Sequence, residues 1–261
     1  MTSEHADTFI DTSKPHPARV YDWLLGGKDN YLVDQEMAEK LPPEARANAQ
    51  RNRAFMRRAA AWLAHSGIRQ FLDIGTGIPT APNLHQIVQE IAPEARIVYA
   101  DNDPIVLRHA EALLVSSPEG ATRYIQADVR RPEDILERAR AFLDFTSPVA
   151  LSLIALMHFI TDDEDPYALT RTLVEALPSG SYLVLSHGTT DEHPELAESV
   201  TDTYKAGRVP LRMRRRAEVE RFFDGLELVD PGLVTATHWY KDSPAPKEEL
   251  SGFYVGVARV P

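Results

Sequence analysis

From Gly67 onward, short apolar runs alternate with helical segments, and no other feature narrows the folds open to this 261-residue chain as much. The runs occupy residues 71–74, 97–100, 124–127, 149–153 and 182–186, with helix-patterned stretches between them at 83–91, 105–115, 132–145 and 167–177. Parallel strands cannot be joined by a tight turn, and here each gap holds a crossover helix. The pattern therefore predicts βαβ units on a mostly parallel sheet.

Between residues 18 and 65 the periodicity is helical in three stretches. Stretches 18–25, 32–41 and 46–65 are divided by Gly26-Gly27-Lys28-Asp29-Asn30 and by Pro42-Pro43, both turn-forming. The expected division is an N-terminal extension and helical cap over residues 1–66, followed by an α/β domain over 67–261. Late in the chain, the polar stretch 193–216 is expected to cover the sheet edge. Two further strand-like runs at 226–233 and 253–260, joined through a loop around Asp242-Ser243-Pro244-Ala245-Pro246, are expected to form an antiparallel edge hairpin.

Charge and composition narrow the function classes. With 28 Lys and Arg against 39 Asp and Glu, the net charge of −11 repels phosphate backbones and anionic lipid, so neither nucleic acid nor membrane is an expected partner. The absence of cysteine removes disulfides, thiolate metal sites and a thiol nucleophile. Residues 149–160, the most apolar stretch, fall short of the roughly 20 needed to span a bilayer. Residues 1–17 are polar, do not resemble a secretory signal and are expected to be disordered; a cytoplasmic protein is the expectation. The nine histidines show no close ligand spacing on one element, so no metal is expected.

The chemistry concentrates where strands end. Phe71-Leu72-Asp73-Ile74 runs into Gly75-Thr76-Gly77, a turn in which missing side chains let backbone amides approach a ligand, although tight βα turns also use glycine for steric reasons alone. The dinucleotide fingerprint needs a third small residue where Thr80 stands, which counts against a nicotinamide or flavin cofactor. The second run ends Ala100-Asp101-Asn102-Asp103-Pro104, placing an acid where a ribose diol needs an acceptor. Asn102 or Asp103 can cap the helix at Pro104, leaving Asp101 for ligand. After the third run, the Asp128 carboxylate and the Val129 amide can read an adenine edge. The carboxyl ends of consecutive strands are where open α/β sheets bind ligands.

These motifs, with Leu177-Pro178-Ser179-Gly180-Ser181 downstream, resemble those of class I S-adenosylmethionine-dependent methyltransferases over roughly residues 67–187. The opening Pro17-Ala18-Arg19-Val20-Tyr21-Asp22-Trp23-Leu24-Leu25-Gly26-Gly27-Lys28-Asp29-Asn30-Tyr31 resembles more narrowly that of a bacterial S-adenosylmethionine methyltransferase family formerly described as a domain of unknown function. The resemblance implies a Rossmann-like, doubly wound α/β fold with a seven-stranded, mostly parallel sheet. It implies S-adenosylmethionine as cofactor, with Asp73, Gly75 and Gly77 around the methionine moiety, Asp101 on the ribose and Asp128 at the adenine, and with Thr76, Asn102 and Val129 as further cofactor-binding positions.

The opening stretch is expected to fold over the cofactor, with Arg19 pairing its carboxylate and Tyr21, Lys28, Asn30 and Tyr31 lining a lid; helix packing and capping is the alternative. Methyl transfer is an in-line displacement and needs a base only if the acceptor must lose a proton. Two histidines are candidates: His158, otherwise a half-buried side chain bonded to backbone, and His187, otherwise a turn residue before Gly188. The run Arg212, Arg214, Arg215, Arg216 reads as a solvated helix start. The expected activity is O- or N-methylation of a small molecule, against a non-catalytic cofactor-binding regulator or, further off, a Rossmann-type oxidoreductase.

Overall fold

The computed structural model describes residues 11–113, 115–240 and 251–261. Among these, five parallel strands follow the apolar runs: β1 (Gln70–Ile74), β2 (Arg96–Asp101), β3 (Ala121–Gln126), β4 (Ala150–Ile154) and β5 (Tyr182–Gly188). The edge is antiparallel, with β8 (Phe253–Arg259) on β5 and two short strands, β6 (Glu227–Leu228) and β7 (Val234–Thr235), on β8. The order β3-β2-β1-β4-β5-β8-β6 has β7 as a second partner of β8. The sheet thus has eight strands rather than seven, because the expected strand at 226–233 is interrupted. Pro231 lacks the N–H a ladder needs and Gly232 turns with φ +84°. The loop expected around Asp242–Pro246 lies outside the described residues, as does the start at residues 1–10.

Strand order reverses between β1 and β4, so a crevice opens beyond their carboxyl ends. Alternate side chains of each strand feed two cores. Leu72, Val98 and Leu151 pack with α6 (Pro132–Arg140) and α7 (Pro166–Glu175) on one face. Phe71, Ile97 and Val184 pack on the other with α4 (Leu84–Ile91) and with Phe55, Ala59 and Leu63 of α3 (Glu44–His65). The last helix of the cap is therefore also a layer of the sheet. α5 (Pro104–Leu113) completes the second crossover, and among the described residues no helix is long and apolar enough to cross a membrane.

The rest of the cap, α1 (Pro17–Leu25) and α2 (Leu32–Ala38), forms a separate small core through Val20, Leu24, Met37 and Ala49 with Tyr204. Tyr204 belongs to α8 (Pro194–Ala206), a helix inside the stretch expected only to cover the sheet edge. Its helical signals were Pro194 in the first turn and Glu195 beside it. Only Ala197 and Tyr204 are buried, too sparse an apolar stripe to reveal it by periodicity. α9 (Arg216–Glu220) follows.

Candidate functional site

A cavity of about 420 Å³ opens at the β1/β4 switch point and runs beneath α1, α3 and α8. Its floor is the β1 turn. Gly75 and Gly77 both have positive φ, and a Cβ on Gly75 would stand 2.7 Å from Leu156, so the first glycine is required by backbone angle and by contact. Two carboxylates hold this turn: Thr76 Oγ1 donates to Asp73 Oδ2 at 3.1 Å, and Gly77 N donates to Asp101 Oδ2 at 2.8 Å. Across from it Ala155, with φ +52°, turns the chain out of β4 in a conformation that costs a non-glycine residue energy.

All eight expected cofactor residues of the α/β part line the cavity: Asp73, Gly75, Thr76, Gly77, Asp101, Asn102, Asp128 and Val129. Asp101 is less free than the sequence suggested. Asp103 caps α5 through Ile105 N as expected, yet the other Asp101 oxygen accepts from Asp103 N at 2.9 Å. Each carboxylate oxygen keeps a second lone pair for a ligand. Burial raises the Asp101 carboxyl above its usual range, against the two N–H bonds, and lifts Asp73 to about 6. Asp128 is half-buried and accepts from Arg130 N at 3.0 Å.

The opening stretch requires correction. Tyr21 lines the cavity, but Arg19, Lys28, Asn30 and Tyr31 do not. Arg19 is buried between carboxylates, with Nε 3.2 Å from Asp103 Oδ2 and NH1 3.7 Å from Asp34 Oδ2. Asn30 donates to Asp22 Oδ2 at 2.7 Å, Tyr31 stands at the start of α2 with its N–H on Asp34 Oδ2, and Lys28 is exposed. The polar density of this stretch is therefore mostly internal: Asp22 organises the turn, Asp34 holds both helix starts, and Arg19 bridges the cap to the β2 turn.

Both histidine expectations change. His187 lies within β5, not in a turn, and is buried with both nitrogens engaged: Nδ1 donates to Gly188 O at 2.8 Å, and Nε2 accepts from Arg214 NH1 at 2.9 Å. No lone pair is left for a substrate proton. His158 does reach the cavity, but its Nδ1 accepts from Gly188 N at 3.3 Å, which leaves the neutral ring's proton on Nε2. Burial, then Arg214, lowers it to about 3, so at neutral pH it presents an N–H donor rather than a base.

Arg214 is not on a solvated helix start. It is completely buried, donating to Met157 O, Ile160 O and, at 2.5 Å, Asp162 Oδ1. It fastens the turn after β4 to the end of β5. Arg212 and Arg216 make the exposed pairs expected of a helix start, with Glu218 and Glu220. Among the described residues no group of three or more His, Asp or Glu is placed to hold a metal.

Sequence reasoning missed Arg53. It lies on α3, four residues after Ala49 and three before Met56, and all three line the cavity. A basic residue at that spacing on a buried helical stripe was the available signal. Also missed was the apolar upper wall, where Leu24, Leu41, Phe159, Val200 and Leu211 come from five separate segments.

The profile of a family described as S-adenosyl methyltransferase matches residues 3–261. A DUF574 family protein from Streptomyces avermitilis is 47% identical, with 97% of this chain and 100% of that one covered and a TM-score of 0.93. A structure from Thermobifida fusca is 37% identical, with 96% of each chain covered and a TM-score of 0.86. The N-methyltransferase NodS from Bradyrhizobium japonicum, solved with S-adenosyl-l-homocysteine, shares the fold at 14% identity, with a TM-score of 0.50 over 93% of this chain and 99% of that one. No curated protein matches the chain.

Proposed function

The chain belongs to the S-adenosyl methyltransferase family and uses S-adenosylmethionine, and from that premise we propose that it methylates an oxygen or nitrogen of a small, largely apolar molecule. The observation carrying this is the cavity's two-sided lining: carboxylates and turn amides at the sheet edge, aliphatic and aromatic side chains under α1, α3 and α8. Its volume lies within the ~300–1,000 Å³ usual for small-molecule sites.

The residues present fit the cofactor. The Gly75–Gly77 turn admits close backbone approach, Asp73 and Asp101 offer acceptors to an ammonium and a ribose, and Asp128 with Val129 closes the far end. When bound, S-adenosylmethionine supplies an electrophilic methyl group on a sulfonium. The chain's own part is positioning and exclusion of water. The apolar wall desolvates the acceptor, and the His158 N–H can donate to an acceptor atom that keeps its reacting lone pair. With neither His158 nor His187 presenting a base, the acceptor atoms favoured are a neutral amine or an acidic hydroxyl already ionised near neutral pH.

The loss of both candidate bases, His158 and His187, favours a second reading, a regulator that binds the cofactor without turnover. One assay separates the two: purified protein with S-adenosylmethionine and a panel of apolar phenols and amines, reading S-adenosylhomocysteine release and methylated product. Turnover with any apolar member supports the enzyme. Tight S-adenosylhomocysteine binding with no product across the panel supports the regulator.

A further inference from the structure

We propose that Arg53, contributed by the helical cap, is the clamp for the α-carboxylate of the cofactor's methionine moiety, an inference that rests on the cofactor site described above. Three observations carry it. Arg53 lines the cavity from α3, as Asp73, Gly75 and Gly77 do from β1 and its turn. One amino group is fixed on backbone, NH2 donating to Thr80 O at 2.7 Å and Pro82 O at 3.4 Å, which aims the guanidinium plane without neutralising it. Its Nε is buried and has no hydrogen-bond partner.

A buried donor on a cationic group is costly to leave unmade, and a carboxylate within reach of Nε satisfies it with a charge-assisted hydrogen bond. The charges around Arg53 are Asp73, which attracts it, and Arg57, which repels it, with the hydroxyls of Tyr21 and Tyr99 also facing it. Asp73 is bonded through Thr76 to the turn, and Arg53 through its own carbonyl partners to the loop after it. One anion and one cation lining the cavity with the glycine turn match the zwitterionic head of an α-amino acid. Burial lowers the Arg53 guanidinium from its ordinary value, so a carboxylate added beside it stabilises the charged form. Arg19, which the sequence suggested for this task, is occupied by Asp34 and Asp103.

The test is calorimetric titration with two ligands, S-adenosylhomocysteine and 5′-methylthioadenosine, the second keeping the adenosine and thioether but lacking the amino acid. The wild-type chain is expected to prefer S-adenosylhomocysteine. Arg53→Gln is expected to weaken that ligand by about tenfold to a hundredfold and leave 5′-methylthioadenosine unchanged, with Arg53→Lys in between. A parallel loss of both ligands, or no loss of either, overturns the clamp. A wild-type chain that binds 5′-methylthioadenosine as well as S-adenosylhomocysteine overturns it too, while leaving the cofactor site standing. If the wild-type chain binds neither, the cofactor site itself fails and the clamp with it.

Discussion

His158 is the residue at which burial and titration can be read against each other. Its folded value of about 3 lies far below the ordinary 6.5, so in acid the unfolded chain takes up the proton first and the folded state loses stability as pH falls below 6.5. Above that pH the effect is absent. Asp73 has the opposite sign: raised to about 6, it holds its proton better folded, and that contribution is present in acid and lost as pH rises through 6. His158→Gln keeps an acceptor for Gly188 N and removes the titration. Urea unfolding should then show the variant gaining on the wild type by about 2 kcal/mol between about pH 6.5 and about pH 5. A constant difference would mean that His158 is accessible to protons in the folded chain. The same Asp73 shift predicts that S-adenosylhomocysteine affinity falls as pH drops below 6, since a protonated carboxyl no longer attracts the ligand's ammonium; Asp73→Asn should flatten this dependence.

At the scale of elements, the α1–α2 turn and the Arg214 fastening make the strongest claims. A Cβ on Gly27 would stand 1.9 Å from Asp22 Oδ1, the group that also accepts from Asp29 N and Asn30 through its other oxygen. Gly27→Ala is therefore expected to cost ~1–3 kcal/mol in thermal or urea unfolding by forcing Asp22 out of the turn. Arg214→Leu is expected to cost about 3–5 kcal/mol, because it leaves His187 Nε2 and the Ile160 carbonyl without their donor and takes from Asp162 its buried cationic partner. A loss below ~1 kcal/mol would show that the segment after β4 holds its shape alone. Both elements mark how far sequence could be read. β1, β2, β4 and β5 were legible because each holds an apolar run buried on both faces, and the partly exposed edge strand β3 was legible from its place in the alternation. The Asp73, Asp101 and Asp128 positions were legible because strand ends are fixed by those runs. Arg214 was misread because local sequence shows its charged neighbours but not the carbonyls of 157 and 160 that surround it. The opening stretch was misread for the same reason: its partners, Asp34 and Asp103, are defined only by the fold.

On the scale of the molecule, the cavity is a joint between two bodies of sequence with different jobs. The sheet edge brings the polar groups, while α1, α3 and α8 bring the apolar wall, so a change confined to that wall should separate acceptor binding from cofactor binding. α3 cannot be spared from this arrangement: Phe55, Ala59 and Leu63 share a core with β1, β2 and β5, and residues 67–261 alone would expose that face. α8 is the better place to intervene, since Val200 lines the cavity and packs only at the margin of the small cap core. Val200→Phe fills part of the apolar chamber without touching a carboxylate or a turn amide. It is expected to leave S-adenosylhomocysteine affinity within about twofold, as for a site whose contacts are untouched, while methyl transfer to an apolar acceptor falls by at least about tenfold. Equal loss of both would mean that the cofactor itself extends under α8. Undiminished transfer would place the acceptor outside this chamber, and the wall under α8 would then serve only to bind the cap to the sheet.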